Sequence, residues 1–477
     1  MSGEKIDGRF DAMDDIDDED SDSRVDVIDF VLRTVEKRDI RFIRLWFTDV
    51  LGNLKSFAIS SEDLEQAFVE GVGVDGSSVE GFVPAEESDM LAFPDATTFQ
   101  LLPWRPSSSG VARIFCDVRT PDREPFSGDP RYILKKVFRR AQAQGYVPNV
   151  GPRVEYFHFA ADEDGRPQVP PALMDHAGYF DLTATDSSTD LRRETTLMLE
   201  RMSIPVERTF HSNAPSQSAV ELRYAEAVSS ADNIMTMRHV ISMLAYQAGM
   251  AASFMPKPFS AYSGSGMFLY QSLFDTSGNN LFWGEKTDAY ELGRYHLSEL
   301  AARYTAGLLK YAPEFTLLTN PTVNSYKRLV PNGEVPVYTT WGRTNRSALV
   351  RVPVHKPGKH RSMRIELRTP DPSANPYLAI AASIAAGLKG IEEGLELQPE
   401  TVGNAFELSP HELDARGIRH LPRTLGEAID VFERSELMRE TLGEHTFDYL
   451  VEQSRNEWEA YCSAVTDWEF KRCYGTS

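Results

Sequence analysis

The chain has few cysteines and no long apolar run. Its 3 cysteines, Cys116, Cys462 and Cys473, are odd in number and far apart, which excludes a disulfide framework and indicates a reducing compartment. No Cys/His spacing typical of structural zinc is present. The longest apolar run, 377–386, is much shorter than the roughly 20 residues of a membrane-spanning helix, and the N-terminus has no signal-like apolar core. We therefore expect a cytoplasmic protein without a membrane partner.

Positive charge is also scarce. The 50 lysines and arginines against 71 aspartates and glutamates give a formal net charge of -21, which excludes the basic face expected of a nucleic-acid-binding protein. Acidic residues are concentrated near the N-terminus, in the run from Asp14 to Asp20. Such a run with few apolar residues predicts a disordered, self-repelling tail over residues 1–24. The alternative for this tail is an interaction arm.

The length of 477 residues and the hydrophobic patterns predict two domains. In residues 25–121, the patterns predict helices at 25–38 and 62–70, strands at 41–47, 54–59, 98–102 and 111–118, and a Gly/Ser-rich loop at 71–81. A boundary is predicted in the Pro/Gly-rich segment 119–129. In residues 128–477, strands at 154–159, 219–224, 267–271, 348–352 and 363–368 intermix with helices at 130–145, 190–202, 233–247, 290–311 and 376–393. The irregular order predicts an antiparallel-rich α+β domain.

The segment from Met363 to Tyr377 carries the clearest chemical signal. On a strand, Arg364, Glu366 and Arg368 share one face. Arginines bind carboxylate or phosphate in a bidentate manner, and a glutamate can hold Mg²⁺. This triplet therefore predicts a site for an anionic substrate and a cation, although surface ion pairs are an equally good interpretation of the triplet alone.

Several further motifs occur in a specific order along the chain. They are Asp75-Gly-Ser-Ser78, Phe254-Met-Pro-Lys-Pro258, Gly264-Ser-Gly-Met267, Asn324-Ser-Tyr-Lys-Arg-Leu-Val-Pro331, Asn345-Arg-Ser-Ala348, Arg364-Ile-Glu-Leu-Arg368 and Pro370-Asp-Pro-Ser-Ala-Asn-Pro-Tyr377. In this order the chain resembles the bacterial type I glutamine synthetases from about Val25 to its C-terminus. It is most similar to an actinobacterial branch that includes γ-glutamylpolyamine synthetase-like paralogues.

The resemblance implies a fold, an assembly and a reaction. The fold is α+β, with an N-terminal β-grasp domain over residues 25–121 and a C-terminal catalytic domain over residues 128–477. The assembly is a homo-oligomer, a dodecamer of two hexameric rings, whose active sites are shared between neighbouring subunits. ATP phosphorylates the glutamate side chain, and ammonia or an amine then attacks. The implied cofactors are ATP and two Mg²⁺ or Mn²⁺ ions, which let two anions approach each other.

The family's substrate-handling positions are intact in this sequence. By resemblance, Arg328, Arg368 and Gly264 bind glutamate, and Arg346, Arg351 and Arg364 bind phosphoryl groups. The flap glutamate matches Glu334, the ammonium-binding aspartate matches Asp75, and an amine-site tyrosine matches Tyr179.

The family's metal-ligand positions are mostly changed. Arg153, Ser212, Ala219 and Phe268 stand where the family has ligating glutamates or a histidine, and Tyr270 replaces a nucleotide-site histidine. Of the ligands, Glu155 and Glu366 survive, one for each expected metal. We hypothesise that the Arg153 guanidinium pairs with both glutamates and replaces the metal as their counter-charge. Weak or absent metal binding is the consequence.

Two functions are consistent with intact substrate-handling positions and changed metal-ligand positions. The first is a family member that is impaired or inactive as a ligase and acts as an oligomeric or regulatory paralogue. It would associate with itself or with an active paralogue, and could still bind a glutamate-like ligand. The alternative is an active ATP-dependent glutamine synthetase or γ-glutamyl-amine (polyamine) ligase with a rearranged metal site.

Overall fold

A computed structural model of the chain describes residues 21–82, 89–105, 108–166, 168–284, 295–331, 335–354 and 358–474. The α-helices in these ranges are α1 Ser21–Lys37, α2 Leu64–Glu70, α3 Pro130–Ala143, α4 Thr189–Arg201, α5 Ala227–Gln247, α6 Glu299–Thr319, α7 Val323–Arg328, α8 Pro376–Glu392, α9 Pro410–Ala415, α10 Leu425–Phe432, α11 Glu436–Leu442, α12 Glu444–Ser463 and α13 Asp467–Cys473. Across these described ranges, no helix is both long and apolar enough to cross a membrane.

The strands belong to two sheets. They are β1 Ile40–Thr48, β2 Leu54–Ser60, β3 Val72–Asp75, β4 Asp89–Pro94, β5 Gln100–Leu101, β6 Gly110–Arg119, β7 Val147–Ala160, β8 Val206–His211, β9 Gln217–Leu222, β10 Ala225–Glu226, β11 Met250–Ser253, β12 Met267–Phe274, β13 Trp341–Gly342, β14 Val350–Arg351 and β15 Ile365–Leu367. The first six strands form one sheet and the other nine form the second.

The N-terminal sheet has the strand order β2-β1-β6-β4-β3, with β5 paired to β6. Strands β1 and β6 run parallel, and their alternating apolar residues, including Ile43 and Ile114, are fully buried. The predicted loop at 71–81 in fact contains β3, which sequence patterning missed because Gly73 interrupts it and glycine disfavours strands. Helix α1 begins at Ser21, inside the predicted tail, whereas residues 1–20 lie outside the described residues.

The second sheet has the order β13-β14-β15-β12-β7-β9-β8. All of these neighbours are antiparallel except β13 and β14, so the prediction of an antiparallel-rich domain is confirmed. Its central strand, β7, spans 14 residues and pairs with β12 on one side and β9 on the other. The buried helices α6 and α8 pack against each other and against the same large core.

One helix was predicted with wrong boundaries, and one strand was missed. The helix predicted at 290–311 begins at Glu299, because the hydroxyl of Ser298 caps it by accepting a hydrogen bond from the Ala301 amide. It continues to Thr319 through Pro313. Strand β8 was not predicted, because its charged residues Glu207 and Arg208 obscure the apolar alternation.

Buried charges join the two domains at the start of α3. The Arg131 guanidinium donates hydrogen bonds to Asp95 and Asp117 of the first domain and to Asp232 of α5, at 2.5–3.1 Å. Burial by itself would raise the pKa of Asp95, but the charges of Arg131 and Lys135 hold it well below its ordinary value. One arginine therefore compensates carboxylates from both domains.

Candidate functional site

One face of the second sheet brings together several of the positions that are expected to depart from the family pattern. In the strand register, Phe268 of β12 lies opposite Arg153 of β7, and Arg153 lies opposite Glu221 of β9. One step along, Tyr270 of β12 lies opposite Glu366 of β15. Because alternate residues of a strand share a face, these side chains form one continuous patch.

Glu366 is held by two arginines at the centre of this patch. Nη2 of Arg153 donates to its Oε1 at 3.3 Å, and Nη1 of Arg351 donates to its Oε2 at 3.2 Å. Glu366 is only 1% exposed, so both of its oxygens are paired away from solvent. Burial opposes ionisation of Arg153, but Tyr270, Glu366 and other acidic neighbours more than offset it and raise the pKa of Arg153 above its ordinary value.

Glu155 is held by different donors. Its Oε1 accepts a hydrogen bond from the Ser212 hydroxyl at 3.1 Å, and its Oε2 accepts one from the Gly266 amide at 2.9 Å. The ion pairs of the described residues include one between Arg153 and Glu366 but none between Arg153 and Glu155. The expected pairing of Arg153 is therefore found with Glu366, and the expected direct pairing with Glu155 is wrong.

These contacts do not suit the two-metal centre that the resemblance implies. Magnesium needs carboxylate oxygens that are free to coordinate it, whereas both oxygens of Glu155 and of Glu366 are engaged by protein donors. Ala219 and Phe268 supply no ligand atom. Arg153 adds a fixed positive charge next to Glu366, which would repel a divalent cation.

A second group of potential metal ligands lies nearby, where the segment between β7 and α4 meets the end of β8. Asp175, Asp186 and His211 are buried and place one potential ligand atom each within 4.8 Å of the others. Both carboxylate oxygens of Asp186, however, pair with the Arg192 guanidinium. Arg192 already neutralises the charge of Asp186, so a metal ion at this position would have to displace Arg192.

The positions expected to bind glutamate lie together beside the patch. Arg328, at the end of α7, is buried and donates to the carbonyls of Thr369 and Arg368. The Arg368 guanidinium carbon lies 5.6 Å from the centre of the Phe268 ring. Gly264 lies against Arg328, and a Cβ at Gly264 would approach the Pro256 carbonyl oxygen to 2.2 Å. Glycine is therefore required there by close packing.

The three arginines expected to bind phosphoryl groups have separate surroundings. Arg351 pairs with Glu366, as described above. Arg364 lies over the Tyr270 ring, with its guanidinium carbon 4.3 Å from the ring centre, and is 3.7 Å from Glu207. Arg364 stacks on Tyr270, Glu366 lies opposite Tyr270 in the strand register, and Arg368 lies near Phe268. The three residues of the triplet therefore share one face, as predicted. Arg346 is exposed and makes no hydrogen bond or ion pair with another described residue.

Two of the remaining predicted residues, Asp75 and Tyr179, are exposed. Asp75 is exposed at the end of β3 in the first domain, where it accepts hydrogen bonds from the amide and hydroxyl of Ser77, which lower the pKa of Asp75. Tyr179 is 47% exposed and stacks on Phe180 beside β8. Glu334 lies outside the described residues.

Sequence analysis missed Glu221 as part of the site. It is 0% exposed, pairs with Arg208 at 2.7 Å and lies 3.8 Å from Arg364. The signal was available, because Glu221 follows Ala219 by two residues on a strand and so shares its face. Together, Glu207 and Glu221 provide carboxylates for Arg208 and Arg364.

Comparisons with known proteins match both domains. The family described as "Glutamine synthetase, beta-Grasp domain" matches residues 39–121, and "Glutamine synthetase, catalytic domain" matches residues 127–473. These matches confirm the expected pairing of a β-grasp domain with an α+β catalytic-type domain.

Similar proteins extend over nearly the whole chain. A glutamine synthetase of Mycolicibacterium smegmatis is 47% identical over 446 residues, which cover 93% of this chain and 98% of that protein. One from Methanosarcina mazei is 46% identical over 442 residues, which cover 93% and 96%. A solved structure described as a GmaS/ADP complex aligns with a TM-score of 0.82 and 30% identity, and covers 93% of this chain and 99% of that one.

Proposed function

Because the chain belongs to the glutamine synthetase family, we propose that it binds the family's anionic substrates in a site where Arg153 has taken the place of metal, and that it is impaired or inactive as a metal-dependent ligase. The observation that carries this proposal is the pairing of Glu366 with Arg153 and Arg351. A buried carboxylate with two guanidinium partners has its charge already compensated. A divalent ion would have to break both pairs and accept Arg153 as a neighbour.

The role that fits such a site is that of an oligomeric or regulatory paralogue. Asp75 is exposed in the first domain, and the resemblance assigns it to the site of a neighbouring copy. A homo-oligomer, or a mixed assembly with an active paralogue, would then use the retained arginines to bind a glutamate-like ligand. The homo-oligomer that we propose is the dodecamer of two hexameric rings.

A second candidate function is an active ATP-dependent ligase that joins glutamate to ammonia or an amine through a rearranged site. The comparisons favour this candidate over the first, because relatives that match 93% of the chain at 46–47% identity are named glutamine synthetase. The relative captured with ADP also supports nucleotide binding in this fold. The arginine pairs at Glu366 favour the first candidate.

ADP release separates the two candidates. The wild-type protein is incubated with ATP, L-glutamate and either ammonium or one of several amines, in Mg²⁺, in Mn²⁺ or in EDTA. The first candidate predicts little or no ADP release above the EDTA level, because Glu155 and Glu366 are engaged by protein donors rather than by a metal for phosphoryl transfer. Glutamate-dependent ADP release in Mg²⁺ at several turnovers per chain would establish the second candidate and contradict the first.

A further inference from the structure

The surroundings of Phe268 contain buried donors without acceptors. Nε of Arg153, Nε of Arg368 and Nη1 of Arg368 are buried and have no hydrogen-bond partner in the described part of the chain. A buried polar group without a partner costs about 1–3 kcal/mol, and more when it is charged. Two guanidinium groups therefore offer unused hydrogen-bond donors at the centre of the site.

Both guanidinium groups lie close to one aromatic ring. The guanidinium carbon of Arg153 is 3.8 Å from the centre of the Phe268 ring, and that of Arg368 is 5.6 Å from it. Stacking on an aromatic ring fixes the plane of a guanidinium group and leaves its edge donors free. The ring therefore orients the two arginines without consuming their N–H groups.

Positive charge is incompletely compensated at Arg368. Arg153 has Glu366 as an ion-pair partner, whereas no ion pair joins Arg368 to any described carboxylate. Arg368 interacts with one carboxylate, that of Glu366, and with three cations, those of Arg153, Arg351 and Arg328. A negatively charged ligand would relieve this repulsion and accept the unused donors.

We propose that Arg153, Arg368 and the Phe268 ring form a metal-independent oxyanion site, which binds a carboxylate or phosphate group where the family pattern places a metal ligand. The site rests on the proposed function in one respect, the replacement of the metal by Arg153. Its ligand is the anion itself rather than a metal-bound anion. Inorganic phosphate supplies the phosphate group and L-glutamate supplies the carboxylate group, so these two compounds serve as the test ligands.

Calorimetric titration of the full chain with inorganic phosphate and, separately, with L-glutamate tests the proposal. We expect at least one of them to bind in EDTA, with a Kd that changes less than about twofold when Mg²⁺ replaces EDTA. The loss of a charged hydrogen bond weakens binding about tenfold or more, so Arg153→Gln and Arg368→Gln should each have this effect. Arg33→Gln, an exposed change on α1 with 79% of the side chain accessible, should leave Kd unchanged.

A further variant distinguishes the loss of a ligand contact from a loss of folding. Arg153→Lys keeps a positive charge beside Glu366 but removes the Nε–H donor and the planar stacking group, so it should fold and still bind more weakly than the wild type. Binding of neither anion in EDTA would overturn the proposal, as would wild-type affinity in all three site variants. If Mg²⁺-dependent ADP release is found while binding in EDTA persists, the impaired-ligase proposal is wrong and the oxyanion site stands.

Discussion

Restoring the family's ligand residues is expected to create a metal site. The variant combines Arg153→Glu, Ser212→Glu, Ala219→Glu and Phe268→His. It removes a fixed positive charge and releases Glu366 from one of its two partners. It also places three carboxylates and an imidazole in the surroundings of Glu155 and Glu366. Divalent affinity rises with the number and charge of ligands, so we expect Mn²⁺ to bind at least about 100-fold more tightly than in the wild type.

Thermal unfolding provides a second measurement for this variant. Without metal, the added acidic groups repel one another and should lower its stability. Mn²⁺ at about 100 times its Kd should then add about 2.7 kcal/mol. The single change Arg153→Gln is the control, because it removes the charge but adds no ligand, and it should gain much less affinity. If the combined variant folds and binds Mn²⁺ no better than this control, the lost residues are not what prevents metal binding.

Arg131→Met is expected to give the largest loss of stability. The methionine side chain fills similar space but leaves Asp95, Asp117 and Asp232 without their shared cation. Removing one partner of a buried ion pair costs about 3–5 kcal/mol. Lys135 still neutralises Asp95 and Asp117, so Asp232 on the catalytic side of the boundary should carry most of the cost.

Urea unfolding of Arg131→Met, followed by intrinsic fluorescence, measures this loss. The matched control is Arg140→Met on the same helix, whose partner Glu392 and own side chain are 29% and 37% exposed. Partly exposed pairs contribute about 0–1 kcal/mol, so the control should unfold close to the wild type. Equal midpoints for the two variants would contradict the view that Arg131 joins the domains.

The parts of the site that follow from strand alternation could be predicted from sequence. The common face of Arg364, Glu366 and Arg368 needed no tertiary information, because side chains on a strand alternate. The pairing of Arg153 with Glu366 required knowledge of which strands are neighbours, and only the resemblance suggested it. Ser212 and Gly266 as partners of Glu155 depend on local loop geometry, which no sequence pattern reports.

For the fold as well, elements with a clear local pattern could be predicted, and elements that depend on their neighbours could not. Strongly patterned elements such as the helix starting at Pro130 were recognised from the Asp129 cap and the proline that follows it. Short or charged strands were missed, because β3 and β8 are stabilised by pairing with their neighbours rather than by their own residue preferences. The late helices α9 to α13 have caps such as Ser409 and Thr424, which are visible only once the position of each helix is known.

The most direct test of the central claim is a Mn²⁺ titration of the unaltered protein, followed by calorimetry or by electron paramagnetic resonance of the free ion. If Arg153 and Arg351 occupy Glu366 while Ser212 and Gly266 occupy Glu155, Mn²⁺ should bind no more tightly than about 10⁻⁴ M. Two saturable sites per chain with micromolar affinity would show that both glutamates are available to metal, and would contradict the account.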